Sequence, residues 1–184
     1  MGGFVEPLES LDKAAKRIVK QLIGLHDVYM EQLYAFGALD RDPGGRIVSV
    51  AYFSLIKINK HDRERVKEHG AEWFSLSELP ELIFDHSEMV KKALRKLRIR
   101  ARTQPIGFEL LPEKFTIPQL QSLYEAIYDT PFDKRNFRRK ILSMGLLEKL
   151  EEKEKETSKK GAFYYRFNKK KYGELLQKGL NFEV

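Results

Sequence analysis

Pro105, Gly107 and Pro112 lie close together in the stretch RTQPIGFELLPEKF, residues 102–115. A proline lacks the backbone N–H and fixes φ, so a helical pattern entering this stretch from upstream cannot cross it intact. The chain of 184 residues is therefore expected to divide into residues 1–102 and residues 103–184, each with its own small core. Both halves mix helical and strand-like segments, so the expected class is α+β.

In the first half, Ser10 is placed to cap a helix over residues 11–23, with Asp12 in the first turn where the helix dipole favours a carboxylate. Leu11, Ala15, Ile18 and Leu22 recur at helical spacing and predict one apolar stripe, and Gly24 is suited to end the helix. Residues 28–41 and 46–58 are rich in Val, Ile, Tyr and Phe around the turn signal RDPGGR, predicting two long strands joined by a hairpin-like loop. EWFSLSELPELIFDH (72–86) reads as a short strand and a one-turn helix. Residues 87–101 predict another helix, with Met89, Val90, Ala93, Leu94 and Leu97 on one side.

In the second half, Thr116 is placed to cap a helix running to about Tyr128, with Pro118 in the first turn, where no intrahelical donor is lost. DTPF makes a turn, and Asp133 can cap a second helix to about Met144. LLEKLEEKEKETSKKGAFYYRF (146–167) reads as two strands around a charged, Gly-containing loop, and a last helix is expected at 169–178. Helix, turn, helix and a two-stranded loop together describe a winged helix-turn-helix.

Composition narrows the partners. Lys plus Arg number 34 against 27 acids, a net charge of +7 that attracts polyanions. The excess is concentrated: KKALRKLRIRAR (91–102) holds seven cations and no acid, and KRNFRRK (134–140) holds five. The first run serves either DNA flanks or simply a solvated helix face. There is no cysteine, hence no disulfide framework and no thiolate metal site, and a reducing, cytoplasmic setting is expected. No apolar run approaches the roughly 20 residues needed to span a bilayer. His61, His69 and His86 show no metal-ligand spacing.

At the N-terminus, Gly3, five residues, Glu9, seven residues, Arg17 and then Gly24-Leu25 stand in a register that resembles the Nudix box, G-x5-E-x7-R-E-U-x-E-E-x-G-U with U aliphatic. Where that pattern has its three later glutamates, this chain has Ile18, Gln21 and Leu22. Active Nudix enzymes use those carboxylates to gather Mg2+ or Mn2+ on a diphosphate, and Glu9 alone does not make such a site. The resemblance thus implies a Nudix-like α/β/α sandwich without catalytic or metal-binding residues. A Nudix hydrolase of ADP-ribose-like substrates with an atypical metal site is the alternative. Nudix domains carry strands before the box, and here the box starts at the first residues, so those strands are expected to be missing.

In the winged helix, Lys134, Arg135 and Asn136 occupy the first turn of the second helix, from which side chains reach base edges in the major groove. Arg135 suits guanine and Asn136 suits adenine. Arg138, Arg139 and Lys140 are better placed for phosphates, and Lys159 and Lys160 at the wing tip for backbone or minor groove. Phe137, Ile141 and Met144 would hold this helix to the core; the competing reading is a charged helix that is merely a solvated face.

GFELLPEKFTIPQLQSLYEAIYDTPFDKRNFRRKIL, with SELPELIFDH and GAFYYRF, is similar to the Nudix-related transcriptional regulators of the NrtR group, and among them most similar to the Bacteroidetes AraR-type arabinose regulators. The resemblance implies a homodimeric regulator, a repressor of sugar-catabolism genes, that binds a palindromic double-stranded operator and senses a small molecule with its Nudix-like domain. It implies no cofactor. NrtR-type proteins bind ADP-ribose or related compounds, whereas AraR-type proteins bind L-arabinose. Asp40, Arg41, Asp42 and Arg46 in FGALDRDPGGR, with Glu6 and Glu9, are candidates for hydroxyl or phosphate contacts, and Phe36 or Tyr52 for an aromatic platform. Each of the charged candidates is equally a turn-capping acid or a surface cation. The loop holds few cations for a metal-free diphosphate, which favours a sugar.

Overall fold

The computed structural model describes residues 2–26, 28, 30–56, 60–155 and 161–178. The chain forms two compact units, Met1–Ala93 and Leu94–Val184.

In the first unit, α1 (Leu11–Ile23) starts as expected: the Ser10 hydroxyl accepts from the Lys13 amide at 3.3 Å. Gly24 ends it at φ 68°, its N–H donating to the Lys20 carbonyl. The buried side is not the expected stripe. Leu11 and Leu22 are exposed, while Ala14 and Ile23 are buried. The rotation follows from what α1 packs on. Ile23 and Leu25 meet Val66 of α2 (Lys60–Glu68), with Val19, Val28, Ile56 and Ala71 around them. Nothing in KHDRERVKE announced α2, because a single apolar residue carries no periodicity.

The two strands are shorter than expected: β1 (Glu31–Phe36) pairs antiparallel with β2 (Ser49–Phe53), with a bulge between Gln32 and Tyr34. Beyond Phe36 the Arg46 guanidinium donates to the carbonyls of Gly37 (2.7 Å) and Ala38 (3.1 Å), taking acceptors that a longer ladder would use. The strand expected within EWFSLSELPELIFDH does not form. A single 3-10 turn stands at Leu76–Glu78, where the Ser75 hydroxyl donates to Glu78. Trp73, Phe74 and Leu76 are exposed there.

Helix α3 (His86–Thr103) spans slightly more than the expected 87–101. Past it, the Pro/Gly stretch is not an open linker. A short α4 (Gly107–Leu110) places Phe108 stacked on Phe167 at 4.3 Å and against Phe115 at 5.6 Å.

The second unit is built on α5 (Ile117–Tyr128) and α6 (Lys134–Ser143). Thr116 and Gln119 cap α5 reciprocally, the Gln119 backbone N–H donating to the Thr116 hydroxyl (3.3 Å) and the Thr116 backbone N–H to the Gln119 side-chain Oε1 (2.8 Å). Asp129 closes α5 in the left-handed region, and the Asp133 carboxylate caps α6 by accepting from the Asn136 amide at 2.8 Å. The sheet orders β3 (Phe115–Thr116), β5 (Ala162–Phe167) and β4 (Leu147–Glu154), all antiparallel. Phe115, Leu120, Tyr124, Phe137, Ile141, Leu146 and Tyr165 are buried at its centre. α7 (Lys169–Gln177) follows, capped by Asn168. Among the described residues no helix is long and apolar enough to cross a membrane.

Candidate sensor site and nucleic-acid interface

The box-like segment keeps its framework. The Arg17 guanidinium bonds the Glu9 carboxylate through both Nε (3.1 Å) and Nη2, reaches the Phe4 carbonyl at 2.9 Å and Gln21 at 3.2 Å, and lies 3.4 Å from Glu6. Glu9 also accepts from the Glu6 amide at 2.9 Å, and these bonds hold its pKa down to about 2. Ile18 stands where a carboxylate would bind metal. Its Cδ1 and Cγ1 would lie 3.0 Å from a Cβ at Gly3, so it packs hydrocarbon onto the loop instead. Among the described residues no three acids or imidazoles gather as a metal site.

The other sensor candidates separate into local structures. Arg41 is buried; its Nε and Nη2 bond Asp85 at 2.8 and 2.7 Å, and Nη1 bonds the Ser49 hydroxyl at 2.8 Å. The pair holds the Asp85 carboxyl below the usual carboxylate range. Asp85 follows Phe84, whose φ of 53° is a costly backbone for a bulky side chain. Asp42 caps its own turn by accepting from the Gly44 amide at 2.8 Å. Asp40 is exposed and Phe36 buried beside Tyr34, over which Lys92 sits at 4.1 Å. Tyr52 donates to Asp12 at 2.7 Å, which pushes its hydroxyl up to about 12. Thus Glu6 and Glu9 are brought together by Arg17, while Arg41 and Tyr52 are bound to Asp85 and Asp12. Those two acids lie 44 and 40 residues away in sequence, and no local pattern could have paired them.

In the second unit Lys134, Arg135, Asn136, Arg138, Arg139 and Lys140 are all exposed on α6, while Phe137 and Ile141 face inward. Arg139 donates to the Asn136 amide oxygen at 2.9 Å, and Arg138 approaches the Tyr165 hydroxyl at 3.5 Å. Lys159 and Lys160 lie outside the described residues. The described wing supplies cations that sequence reading passed over: Lys149 and Lys153 both sit on the Phe163 ring, at 3.7 and 4.4 Å. Their signal was two lysines four apart, opposite an aromatic strand. In the basic run of α3, Arg98 is committed to the Ile127 carbonyl at 3.0 Å.

A Nudix-type segment in one chain with a winged helix that presents a cationic helix is the layout of a DNA-binding regulator, and the comparisons with known proteins bear on that class. The NUDIX domain profile matches residues 1–96, and the NrtR DNA-binding winged helix domain profile matches residues 107–167. The ADPR responsive transcriptional repressor NtrR of Acinetobacter baylyi is 32% identical over 170 residues, spanning 90% of this chain and 68% of that protein. Crystal structures of Shewanella oneidensis NrtR have TM-scores of 0.67 and, complexed with a 27mer DNA, 0.65; each is 26% identical and covers 90% of this chain and 77% of that one. An ADP-ribose pyrophosphatase of Methanocaldococcus jannaschii is 35% identical over 94 residues, 51% of this chain and 55% of that protein. The chain belongs to the NrtR family of Nudix-related transcriptional regulators. A particular likeness to the AraR-type members is not among these findings.

Proposed function

We propose that this chain is a ligand-released transcriptional repressor whose Nudix domain binds ADP-ribose without cleaving it. The observation that carries this reading is Ile18 packed against Gly3 at the position of a metal carboxylate, in a chain whose second half is the DNA-binding winged helix. Without converging oxygen ligands, Mg2+-assisted attack on a diphosphate has no site. The nature of the effector follows the 32% identical ADPR responsive repressor, and this displaces the neutral sugar expected from the loop residues, L-arabinose included. Lys134, Arg135 and Asn136 enter the major groove, and Arg138, Arg139 and Lys140 meet phosphates. A homodimer places two such helices on a palindromic operator in the cytoplasm. Ligand acts by binding the DNA-competent and DNA-incompetent states with different affinity, which is the only way it can shift their populations.

The test is fluorescence anisotropy of the full chain on duplexes selected from a random library, at fixed salt, with ADP-ribose or L-arabinose added. Release by ADP-ribose alone is expected. Release by arabinose alone overturns the effector, and an absence of any selected sequence overturns the regulator. Mg2+-dependent hydrolysis of ADP-ribose by the wild-type chain would overturn the non-enzymatic reading.

A further inference from the structure

A groove of about 560 Å3 runs along the outer side of α6, lined by Phe132, Asp133, Asn136, Phe137, Arg139 and Lys140. Two features of it are unusual for a solvated helix face. The first is a fixed aromatic ring at its head. The Phe132 backbone N–H donates to the Glu125 carboxylate at 2.9 Å, and its carbonyl accepts from Gln121 Nε2 at 3.1 Å. Gln121 is itself buried and also donates to Glu125 at 2.8 Å. The ring stacks on Phe137 at 5.7 Å and meets Tyr128 edge-on at 5.8 Å, yet stays half exposed.

The second is the orientation of Asn136. A guanidinium only donates, so the amide atom that Arg139 meets at 2.9 Å is the oxygen. The Asn136 NH2 is then the group offered to a ligand. The adenine contact expected from the sequence would ask the same oxygen to accept a second hydrogen bond beside that of Arg139, whereas a base acceptor needs only the NH2. In the major groove, thymine presents an O4 acceptor beside a C5 methyl, and no other base edge joins an acceptor to an apolar group.

We infer that the Phe132–Asn136 groove is a thymine reader, with Asn136 donating to O4 and the Phe132 ring covering the methyl. This rests on the operator-binding reading above and names the base that the helix selects. Phe132 acts by direct contact, while Gln121 and Glu125 are positioning residues. Arg139 likewise positions Asn136 rather than serving only as a phosphate contact.

The test uses the duplex selected by the wild-type full chain, with each thymine replaced singly by deoxyuridine, which removes only the methyl. One position per half-site should lose about fourfold in affinity, the factor expected for uncovering one methyl-sized group. Phe132→Ala should bring that ratio to within twofold of unity. Should Phe132→Ala fail to fold, the exposed Asn136→Ala replaces it. At the uridine-sensitive position, wild type should prefer thymine to cytosine by about tenfold, and Asn136→Ala should cut this below about threefold. A flat uridine scan in a chain that does select DNA overturns the inference alone. An unchanged ratio in Phe132→Ala, or unchanged thymine preference in Asn136→Ala, overturns it as well. A chain that selects no sequence overturns both the inference and the regulator reading.

Discussion

Removing either member of the Arg41–Asp85 pair gives the sharpest test of whether the loop after β1 is scaffold or ligand site. The Arg41 side chain is 3% exposed and Asp85 is 23% exposed, and three charged hydrogen bonds of 2.7–2.8 Å converge on the guanidinium. Breaking a fully buried pair from one side costs about 3–5 kcal/mol, mostly because the survivor is left charged and dry. The exposures make this asymmetric. Asp85 left alone can rehydrate, so Arg41→Ala should cost about 2–3 kcal/mol, whereas Asp85→Ala strands a buried guanidinium and should cost about 3–4 kcal/mol. The double variant should cost no more than Asp85→Ala, giving a coupling of about 2 kcal/mol or more. Trp73 is the only tryptophan and lies in the same unit, so its fluorescence in urea follows the relevant transition. The sign with pH is also fixed. Asp85 has a lowered pKa when folded, so the stabilisation is present above the unfolded value near 3.9 and is lost as pH falls through the folded one. The Arg41→Ala variant should lack that acid-side loss. Additive single costs would refute the reasoning. So would an Arg41→Ala chain of wild-type stability that no longer responds to ADP-ribose, for then the arginine serves the ligand.

Three further changes test single features. The Tyr124 hydroxyl is buried with no hydrogen-bond partner among the described residues, so Tyr124→Phe should be neutral or up to about 1 kcal/mol more stable in urea melts. Thr116→Ala removes one half of a capping box and should cost about 1 kcal/mol, read as a shift in the urea midpoint without change in slope. Gly24→Ala places a Cβ 2.6 Å from His69 Cε1 in a left-handed residue and should cost about 2 kcal/mol or more, measured by the Trp73 transition.

Caps and the interior of the winged helix were legible in the sequence because they depend on residues three or four apart. Ser10, Thr116 and Asp133 each cap the helix they were expected to cap. Phe137 and Ile141 point inward because one helical period separates them. What the sequence hid depends on partners far along the chain. The stripe of α1 was misplaced by the packing of Val66, and β1 was shortened by Arg46 taking its next carbonyls. The loop cations looked available for a ligand because Asp85 is far from Arg41 in sequence.

The retained and replaced residues of the box divide cleanly by what they touch. Glu9 and Arg17 knit the loop to α1 through the Phe4 carbonyl and Gln21, and Gly24 allows α2 to come close enough for His69 to sit beside it. These are structural contacts, which the fold needs whether or not the segment does chemistry. The three lost carboxylates are different, since clustered like charges without a metal repel each other on one helix face. Ile18, Gln21 and Leu22 carry no such repulsion, and Ile18 adds apolar contact with the Gly3 loop. On the proposed reading, a sensor gains from this twice over. Its ligand is not consumed, and the affinity difference between two conformations, on which control of DNA binding depends, is not spent on a reaction.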